Sequence, residues 1–461
     1  FISPQSGGYG IVSNMYAWAA LIFVLLTFGM ETTYFRFANK EGEDPRMVYS
    51  TSLRLVGAVS LAFVLLVFCF LGPVSDFLEY SNHPEYVACF AIIGGLDAFQ
   101  AIMFSHLRQQ HRPVKFMALK MAFIIPNVLL NIAVFALLPM LFGTFPSLQA
   151  IYERFDYGVG LIFFVNLACT ALITLGFIKE MKGITFGFDA KLARRMLAYA
   201  WPILLLGLVG ILNQVFDKIA YLKLVPGQEG KVQLGIYGAC VKVAMIMAMI
   251  TQAFRYAYEP FVFGSGKDAK SKETQALVMK YFVIFTLLAF LAVVCYMDIL
   301  QLIVDGKYRE GVKAVPIVMM AEIFMGIYFN LSFWYKLIEK TWWGAIFSTV
   351  GCVMLLAVNF IFVPKIGYMA CAWGGLVGYG TCMLLSYFVG QKHYHVPYPV
   401  GTIITYFLIA LALFGISVYI RPEALGWRLA FNTLLLLIYV VIVCWKEKAL
   451  IMPIIKKLLR R

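Results

Sequence analysis

Thirteen long apolar segments follow one another along this 461-residue chain, and they constrain its fold more than any motif does. A bilayer core of about 30 Å needs roughly 20 apolar residues per spanning helix. Hydrophobic residues make up 62% of the chain, and its mean hydropathy is +0.83. The sequence therefore predicts an all-α polytopic membrane protein, with spans near residues 9–36, 48–75, 86–107, 116–140, 157–178, 198–222, 236–262, 276–303, 314–335, 342–363, 367–391, 400–420 and 428–445.

Charge is concentrated in the connections between these segments. The net charge of +14 comes from 38 basic and 24 acidic residues. If the first residues lie outside the cell, most of the basic ones fall on the cytoplasmic side, as the positive-inside rule requires. We therefore predict a cytoplasmic C-terminus and attribute the basic balance to the membrane, with no nucleic acid as partner.

Motifs for catalysis or metal binding are missing from the sequence. All nine cysteines lie in apolar segments without metal-ligand spacing, and the chain contains neither a phosphate-binding loop nor a nucleophile elbow. His393 and His395 flank Tyr394 in a short connection, where a solvated loop explains them better than a metal site. We expect a protein that is not an enzyme, with no catalytic residue, resident cofactor or bound metal.

A weak internal repeat relates the two halves. A shift of 228 residues places Tyr9 on Tyr237 and Asn131 on Asn359, and spans and loops stay in phase over four helices. The same shift carries the span at 198–222 to positions before residue 1. We therefore expect a complete protein of fourteen spans whose first helix is missing from this chain. A natural thirteen-span protein is the alternative.

One part of the sequence resembles a known family. The segment Gly7-Gly8-Tyr9-Gly10 and the apolar helix after it, ending in Gly-Met-Glu-Thr-Thr-Tyr-Phe-Arg-Phe at 29–37, resemble the second helix of polysaccharide flippases. These proteins belong to the multidrug/oligosaccharidyl-lipid/polysaccharide exporter superfamily. The resemblance implies two pseudo-symmetric six-helix lobes and two C-terminal helices. We predict an N-lobe at 1–182, a cytoplasmic amphipathic linker at 183–197, a C-lobe at 198–395, and terminal helices with a basic tail at 396–461.

The resemblance also implies a function. Such proteins flip polyprenyl-pyrophosphate-linked oligosaccharides across the bacterial inner membrane by alternating access. They serve capsule, exopolysaccharide or O-antigen (lipopolysaccharide) synthesis. Implied partners are the lipid-linked oligosaccharide, membrane lipids, a polysaccharide polymerase and a chain-length regulator. The alternatives are a cation-coupled multidrug antiporter of the same superfamily and a lipid II flippase.

Polar residues inside the spans are the candidate substrate contacts, because charged and amide groups at membrane depth usually face a cavity or a partner. Lys120, Asn127 and Asn131 fall on one face of a helix. They form either a cavity wall for pyrophosphate and sugar or a seam of asparagine packing, with Lys120 reaching the interface.

Four further basic residues are candidates. Arg54 lies about 10 Å inside its span and could clamp a phosphate or anchor the helix at the interface. Lys242 could line a cavity, and Lys218 could belong either to a gate or to the interface. Arg255 could bind substrate, although its i, i+4 spacing to Glu259 also fits a local ion pair.

Acidic residues inside the spans are candidates for energetic coupling. Glu31 and Asp97 could bind Na⁺ or H⁺ during transport. Asp97 shares a helical stripe with Gln100, Phe104 and Arg108. That stripe also allows a helix-packing hydrogen bond for Asp97.

Overall fold

The computed structural model describes residues 7–155, 158–264, 269–338 and 340–448. Thirteen helices within these ranges are long and apolar enough to cross a membrane. The prediction of an all-α polytopic membrane protein is confirmed. The chain divides into two compact units, Phe1–Gly235 and Ile236–Arg461. The lobe and linker boundaries predicted from the sequence remain predictions.

Helices account for nearly all of the first unit. Its shorter pieces are a π-helical turn at Ala133–Leu137 and 3₁₀ turns at Leu138–Leu141 and Lys182–Phe186. Its α-helices are Gly8–Thr27, Met30–Ala38, Pro45–Cys69, Leu71–Phe77, Pro84–Gln109, Pro113–Ile132, Pro146–Arg154, Val159–Gly176, Ile178–Met181 and Ala190–Leu224.

The helix Gln228–Gly264 contains the division between the two units. Beyond it, 3₁₀ turns form at Gln301–Ile303 and Gly306–Ala314. The α-helices of the second unit are Ala269–Cys295, Met297–Leu300, Val315–Leu331, Phe333–Leu337, Trp342–Ile366, Met369–His393, Val400–Tyr419 and Leu425–Lys446.

A break interrupts the first span, which the sequence predicts as one segment at 9–36. Phe28 and Gly29 have φ angles of 35° and 72°. These lie in the left-handed region, which ends an α-helix. A Cβ on Gly29 would come within 2.8 Å of Ile203, so a side chain fits poorly there. The break starts a new helix just before Glu31 and so orients that carboxylate separately from the preceding turns.

The predicted linker at 183–197 ends inside a long helix. Asp189 caps this helix by accepting hydrogen bonds from the backbone N–H groups of Lys191 and Leu192. The helix then runs without interruption from Ala190 to Leu224. At 1.5 Å per residue it is about 52 Å long and exceeds the hydrocarbon layer. Residues 190–197 therefore form its first two turns, and the surface position predicted for them remains a prediction.

Glycines allow two helices of the second unit to pack closely. A Cβ on Gly351 would lie 2.8 Å from the carbonyl oxygen of Gly378, and one on Gly378 would lie 2.9 Å from that of Gly351. The absence of side chains lets the two backbones touch, as small residues commonly do in membrane helices. Trp342–Ile366 and Met369–His393 thereby form a tight pair.

Glu447 joins two other helices of the second unit, Ala269–Cys295 and Val400–Tyr419, just beyond the last span. Its carboxylate accepts hydrogen bonds from Lys280 at 2.6 Å, Tyr281 at 2.9 Å and Tyr406 at 3.0 Å. Burial raises the pKa of Glu447, but these hydrogen bonds outweigh it and leave the pKa below its usual value. The carboxylate is therefore held in its charged form.

Candidate functional site: a charged cavity in the first unit

A cavity of about 350 Å³ lies among the helices of the first unit. Four ionisable side chains line it, two acidic and two basic: Glu31, Asp97, Arg108 and Lys120. We call it the charged cavity. The rest of its wall is formed by Phe23, Gln100, Ala101, Phe104, Phe116, Phe123 and Ile173.

One acid–base pair in the cavity makes direct contact. The guanidinium of Arg108 donates a hydrogen bond of 3.0 Å to Glu31 Oε2, and Ser105 donates to the same oxygen at 3.2 Å. Both charged side chains remain partly accessible, at 47% for Arg108 and 34% for Glu31. Such a pair is worth about 1 kcal/mol or less in a hydrated site. A bound anion could therefore displace Glu31 from Arg108.

The second acid–base pair combines charge with aromatic contact. Asp97 and Lys120 carry opposite charges and line the same cavity. The Lys120 ammonium also lies 4.1 Å from the centre of the Phe104 ring. A cation over an aromatic face is stabilised by the ring quadrupole. The ring therefore holds Lys120 toward the cavity.

Helical periodicity explains how Pro84–Gln109 contributes to the wall. Asp97, Gln100, Phe104 and Arg108 all line the cavity, as one helical face predicts. Gln100 on this face makes a helix-packing hydrogen bond, while the one considered for Asp97 remains a prediction. Its amide donates to the Thr170 carbonyl at 3.0 Å.

The two asparagines of the predicted stripe lie away from the cavity lining. The Asn131 amide donates to the Asn127 carbonyl at 2.7 Å, within the same helix. Neither asparagine is among the lining residues of the charged cavity. The structure therefore separates Lys120, which lines the cavity, from both asparagines, which hydrogen-bond each other within one helix.

Arg54 is engaged by the protein backbone. Its Nε and one terminal nitrogen donate to the carbonyl oxygen of Ile184 at 3.0 and 2.8 Å. This geometry fixes the 3₁₀ turn Lys182–Phe186 against the helix Pro45–Cys69. A phosphate-clamping role for Arg54 would require this contact to break.

The remaining predicted substrate residues lie elsewhere. Lys218 donates to the Gln214 carbonyl at 3.3 Å and lies 3.9 Å from Asp217. Lys242 is exposed on its helix in the second unit. The Arg255 guanidinium lies 5.0 Å from the centre of the Phe329 ring. The side chain of Glu259, its proposed ion-pair partner, lies outside the described residues. The roles of all these residues remain predictions.

Sequence reasoning missed Arg108 as a cavity residue. Its position next to Gln109 and the following connection suggested an ordinary interfacial charge. Arg108 lies eleven residues after Asp97, which is about three helical turns, so the two residues share a helical face. That shared face was the feature of the sequence that could have identified Arg108.

The charged cavity has two carboxylates in its lining, those of Glu31 and Asp97, with which it could hold a cation. Within the described ranges, no group of three or more His, Cys, Asp or Glu side chains is placed to bind a metal. Glu31 and Asp97 are therefore candidates for a proton or a weakly held Na⁺, as the sequence predicts.

Comparison with known proteins places the chain. The family model described as "Polysaccharide biosynthesis protein" matches residues 5–257, more than half of the chain. The chain belongs to this family. None of the curated proteins compared with it matches.

Solved structures show the same fold for this polysaccharide biosynthesis family member. The lipid II flippase MurJ, in an inward closed conformation, has a TM-score of 0.64 at 16% identity, covering 97% of this chain and 98% of that one. An inward-facing multidrug resistance MATE family transporter of the MOP superfamily has a TM-score of 0.64 at 14% identity, covering 85% of this chain and 90% of that one. The chain therefore has the same fold as these two membrane transporters.

Proposed function

We propose that this protein flips an oligosaccharide, linked to a polyprenyl lipid through pyrophosphate, from one leaflet of the membrane to the other. Membership of the polysaccharide biosynthesis family supports a glycan substrate. The observation that carries the proposal is the pair of cations, Arg108 and Lys120, on the wall of one cavity. Guanidinium and ammonium groups are suited to phosphate, through forked donors and a compact charge respectively.

The charged cavity contains as many acids as cations, and this balance suggests how a substrate could replace the acids at the cations. Glu31 pairs with Arg108, and Asp97 and Lys120 line the same cavity with opposite charges. A pyrophosphate would compete with these acids for the two cations. We propose that the displaced carboxylates take up H⁺ or Na⁺, which would couple an ion gradient to transport. The setting proposed is the bacterial inner membrane, with a cytoplasmic C-terminus and a polymerase and chain-length regulator as partners.

A cation-coupled multidrug antiporter is the second candidate. The acids Glu31 and Asp97 share their cavity with four phenylalanines, and such a wall also suits an organic cation. A MATE family transporter has the same fold. A lipid II flippase is a third candidate, suggested by the fold of MurJ.

Translocation in proteoliposomes tests the proposal. The full-length protein is supplied with a fluorescent polyprenyl-pyrophosphate oligosaccharide, and its arrival in the other leaflet is followed by quenching. We expect Lys120→Ala to slow translocation at least tenfold, which corresponds to about 1.4 kcal/mol. The matched control is Lys191→Ala, because Lys191 is an exposed lysine of the same unit outside the cavity.

Two outcomes contradict the flippase proposal. One is the absence of translocation by correctly folded wild type, together with proton- or sodium-driven efflux of an organic cation. That result assigns the protein to the antiporter class. The other is equal loss of translocation in Lys120→Ala and Lys191→Ala, which removes the specific role of the cavity.

A further inference from the structure

A second cavity, of about 650 Å³, opens where several spanning helices of the first unit begin and end. We call it the surface cavity. Its basic residues are Arg46, Arg112, Lys179 and Lys182, and its acidic residues are Asp44 and Glu180. The other lining residues are Pro45, Tyr49, His106, Gln109, Gln110 and Gly183.

Both acids of the surface cavity already have partners. Asp44 caps the helix Pro45–Cys69 by accepting from the backbone N–H of Arg46 at 2.9 Å. Glu180 accepts from Lys115 at 2.7 Å through each oxygen and lies 3.6 Å from Arg112. Its side chain is only 5% exposed. The lining therefore carries more basic than acidic side chains, four against two, which favours an anion in this cavity.

The segment that carries the two lysines is fixed to its neighbours. Tyr49 donates to the Glu180 carbonyl at 3.0 Å, and Ser50 donates to the Ile184 carbonyl at 3.0 Å. Arg54 holds the same Ile184 carbonyl through two nitrogens. The backbone carrying Lys179 and Lys182 is thus held in place, so the cavity is preformed. Preformed sites bind with a smaller entropic cost.

Stacked aromatic side chains separate the surface cavity from the charged cavity. The rings of Tyr49 and His106 stack with centres 3.8 Å apart. Tyr34 lies one helical turn after Glu31, and its hydroxyl hydrogen-bonds His106 Nδ1 at 2.8 Å. Gln109 lines the surface cavity, while the adjacent Arg108 lines the charged cavity. The two cavities are therefore neighbouring but distinct.

We propose that the surface cavity binds the phosphate of an anionic lipid headgroup. Its place at the helix ends lets a headgroup reach the lysines while the acyl chains stay in the bilayer. Basic pockets between spanning helices favour such headgroups. The N-termini of two long helices, Pro45–Cys69 and Pro113–Ile132, lie at the same cavity and add partial positive charge. Its volume is within the range of small-molecule sites.

Native mass spectrometry of the full-length protein in a neutral detergent tests the proposal. Phosphatidylglycerol is titrated against phosphatidylcholine, whose headgroup carries no net charge. We expect preferential binding of phosphatidylglycerol and a loss of about tenfold in the variant Lys179→Gln/Lys182→Gln, because each surface cation contributes to attracting the anionic lipid. Inorganic pyrophosphate at millimolar concentration should compete for the same site.

A matched pair of substitutions controls for general charge. Lys191→Gln/Arg194→Gln removes two exposed charges of the same unit outside the cavity and should leave affinity nearly unchanged. Equal losses in the two variants, or no preference for phosphatidylglycerol, would overturn the proposal. Binding of pyrophosphate without phosphatidylglycerol would also overturn it and assign the cavity to a soluble anion. The assay measures binding without transport, so its result is independent of the flippase proposal.

Discussion

Two helices related by the sequence repeat behave differently in the structure. The 228-residue shift places Pro113–Ile132, the Lys120 helix, on Trp342–Ile366, the Gly351 helix. In the membrane-spanning part of the first helix no residue is buried, whereas 33% of the residues are buried in that of the second. Lys120 lines a cavity, while its counterpart Ser348 hydrogen-bonds Tyr328 at 3.2 Å.

The difference lies in a few side chains. The Lys120 helix contains no glycine, whereas the Gly351 helix contacts the backbone of Gly378 through a position without a side chain. Close backbone approach stabilises a membrane helix through packing. A lysine within the span instead favours a neighbouring cavity. One copy of the repeat thus serves packing, and the other leaves room for a charged site.

The largest expected loss of stability comes from placing a side chain at Gly351, where the two helices touch. In Gly351→Leu, the new Cβ would overlap the sulfur of Cys382 and lie 2.8 Å from the Gly378 oxygen. We expect the free energy of unfolding to fall by roughly 3 kcal/mol, measured by thermal unfolding in detergent. Gly415→Leu is the control, because no atom lies within 4 Å of a Cβ there. Equal destabilisation by both would refute the packing explanation.

A smaller loss should follow from placing a charge in the packed helix. Ser348→Lys introduces an ammonium where the serine is half-buried, at a cost of about 2 kcal/mol. Unfolding of this variant is compared with that of Ser348→Ala, which removes the hydroxyl that hydrogen-bonds Tyr328 without adding a charge. If Ser348→Lys is no less stable than Ser348→Ala, the second unit tolerates charge as well as the first does.

The reciprocal change should matter less for stability. Lys120→Ser gives the Lys120 helix its counterpart's residue and removes the contact with the Phe104 ring. We expect a loss of about 0.5 to 1 kcal/mol in thermal unfolding. A loss above that caused by Ser348→Lys would make Lys120 a structural residue and reverse the comparison.

The smallest effect is expected at the far end of the same helix. In Asn131→Leu, the side chain loses hydrogen bonds only to Asn127 of its own helix. The loss should be a few tenths of a kcal/mol. Asn359→Leu, its counterpart, replaces a side chain that is 1% exposed and closely faces Gly374. Thermal unfolding should show a larger loss there, and the reverse order would contradict the packing difference.

The spanning helices could be predicted because their signal is local. A run of about 20 apolar residues is visible without knowing any neighbour. The cap at Asp189 is equally local, because its side chain accepts from backbone N–H groups only two and three residues further on. The break at Phe28 and Gly29 was missed because the apolar run continues through it, and only the backbone angles reveal it.

Long-range contacts limited the prediction of the site. The periodicity of one helix shows which residues share a face but not what that face meets. The sequence therefore grouped Asp97 with Arg108 without indicating that Glu31 would bind Arg108 from 77 positions away. Arg54 illustrates the same limit, because its partner Ile184 is 130 positions distant and contributes only a backbone carbonyl.

The contact between Lys280 and Glu447 has a consequence for biosynthesis. Lys280 enters the membrane during translation, 167 positions before the carboxylate that accepts its hydrogen bond. Its side chain is only 14% exposed in the finished fold. A chain that stops before residue 447 would hold this ammonium without that carboxylate, and an uncompensated buried charge is strongly destabilising. Chains truncated before residue 447 should therefore be markedly less stable than the complete second unit, although the lost residues lie at the very end of the spanning region.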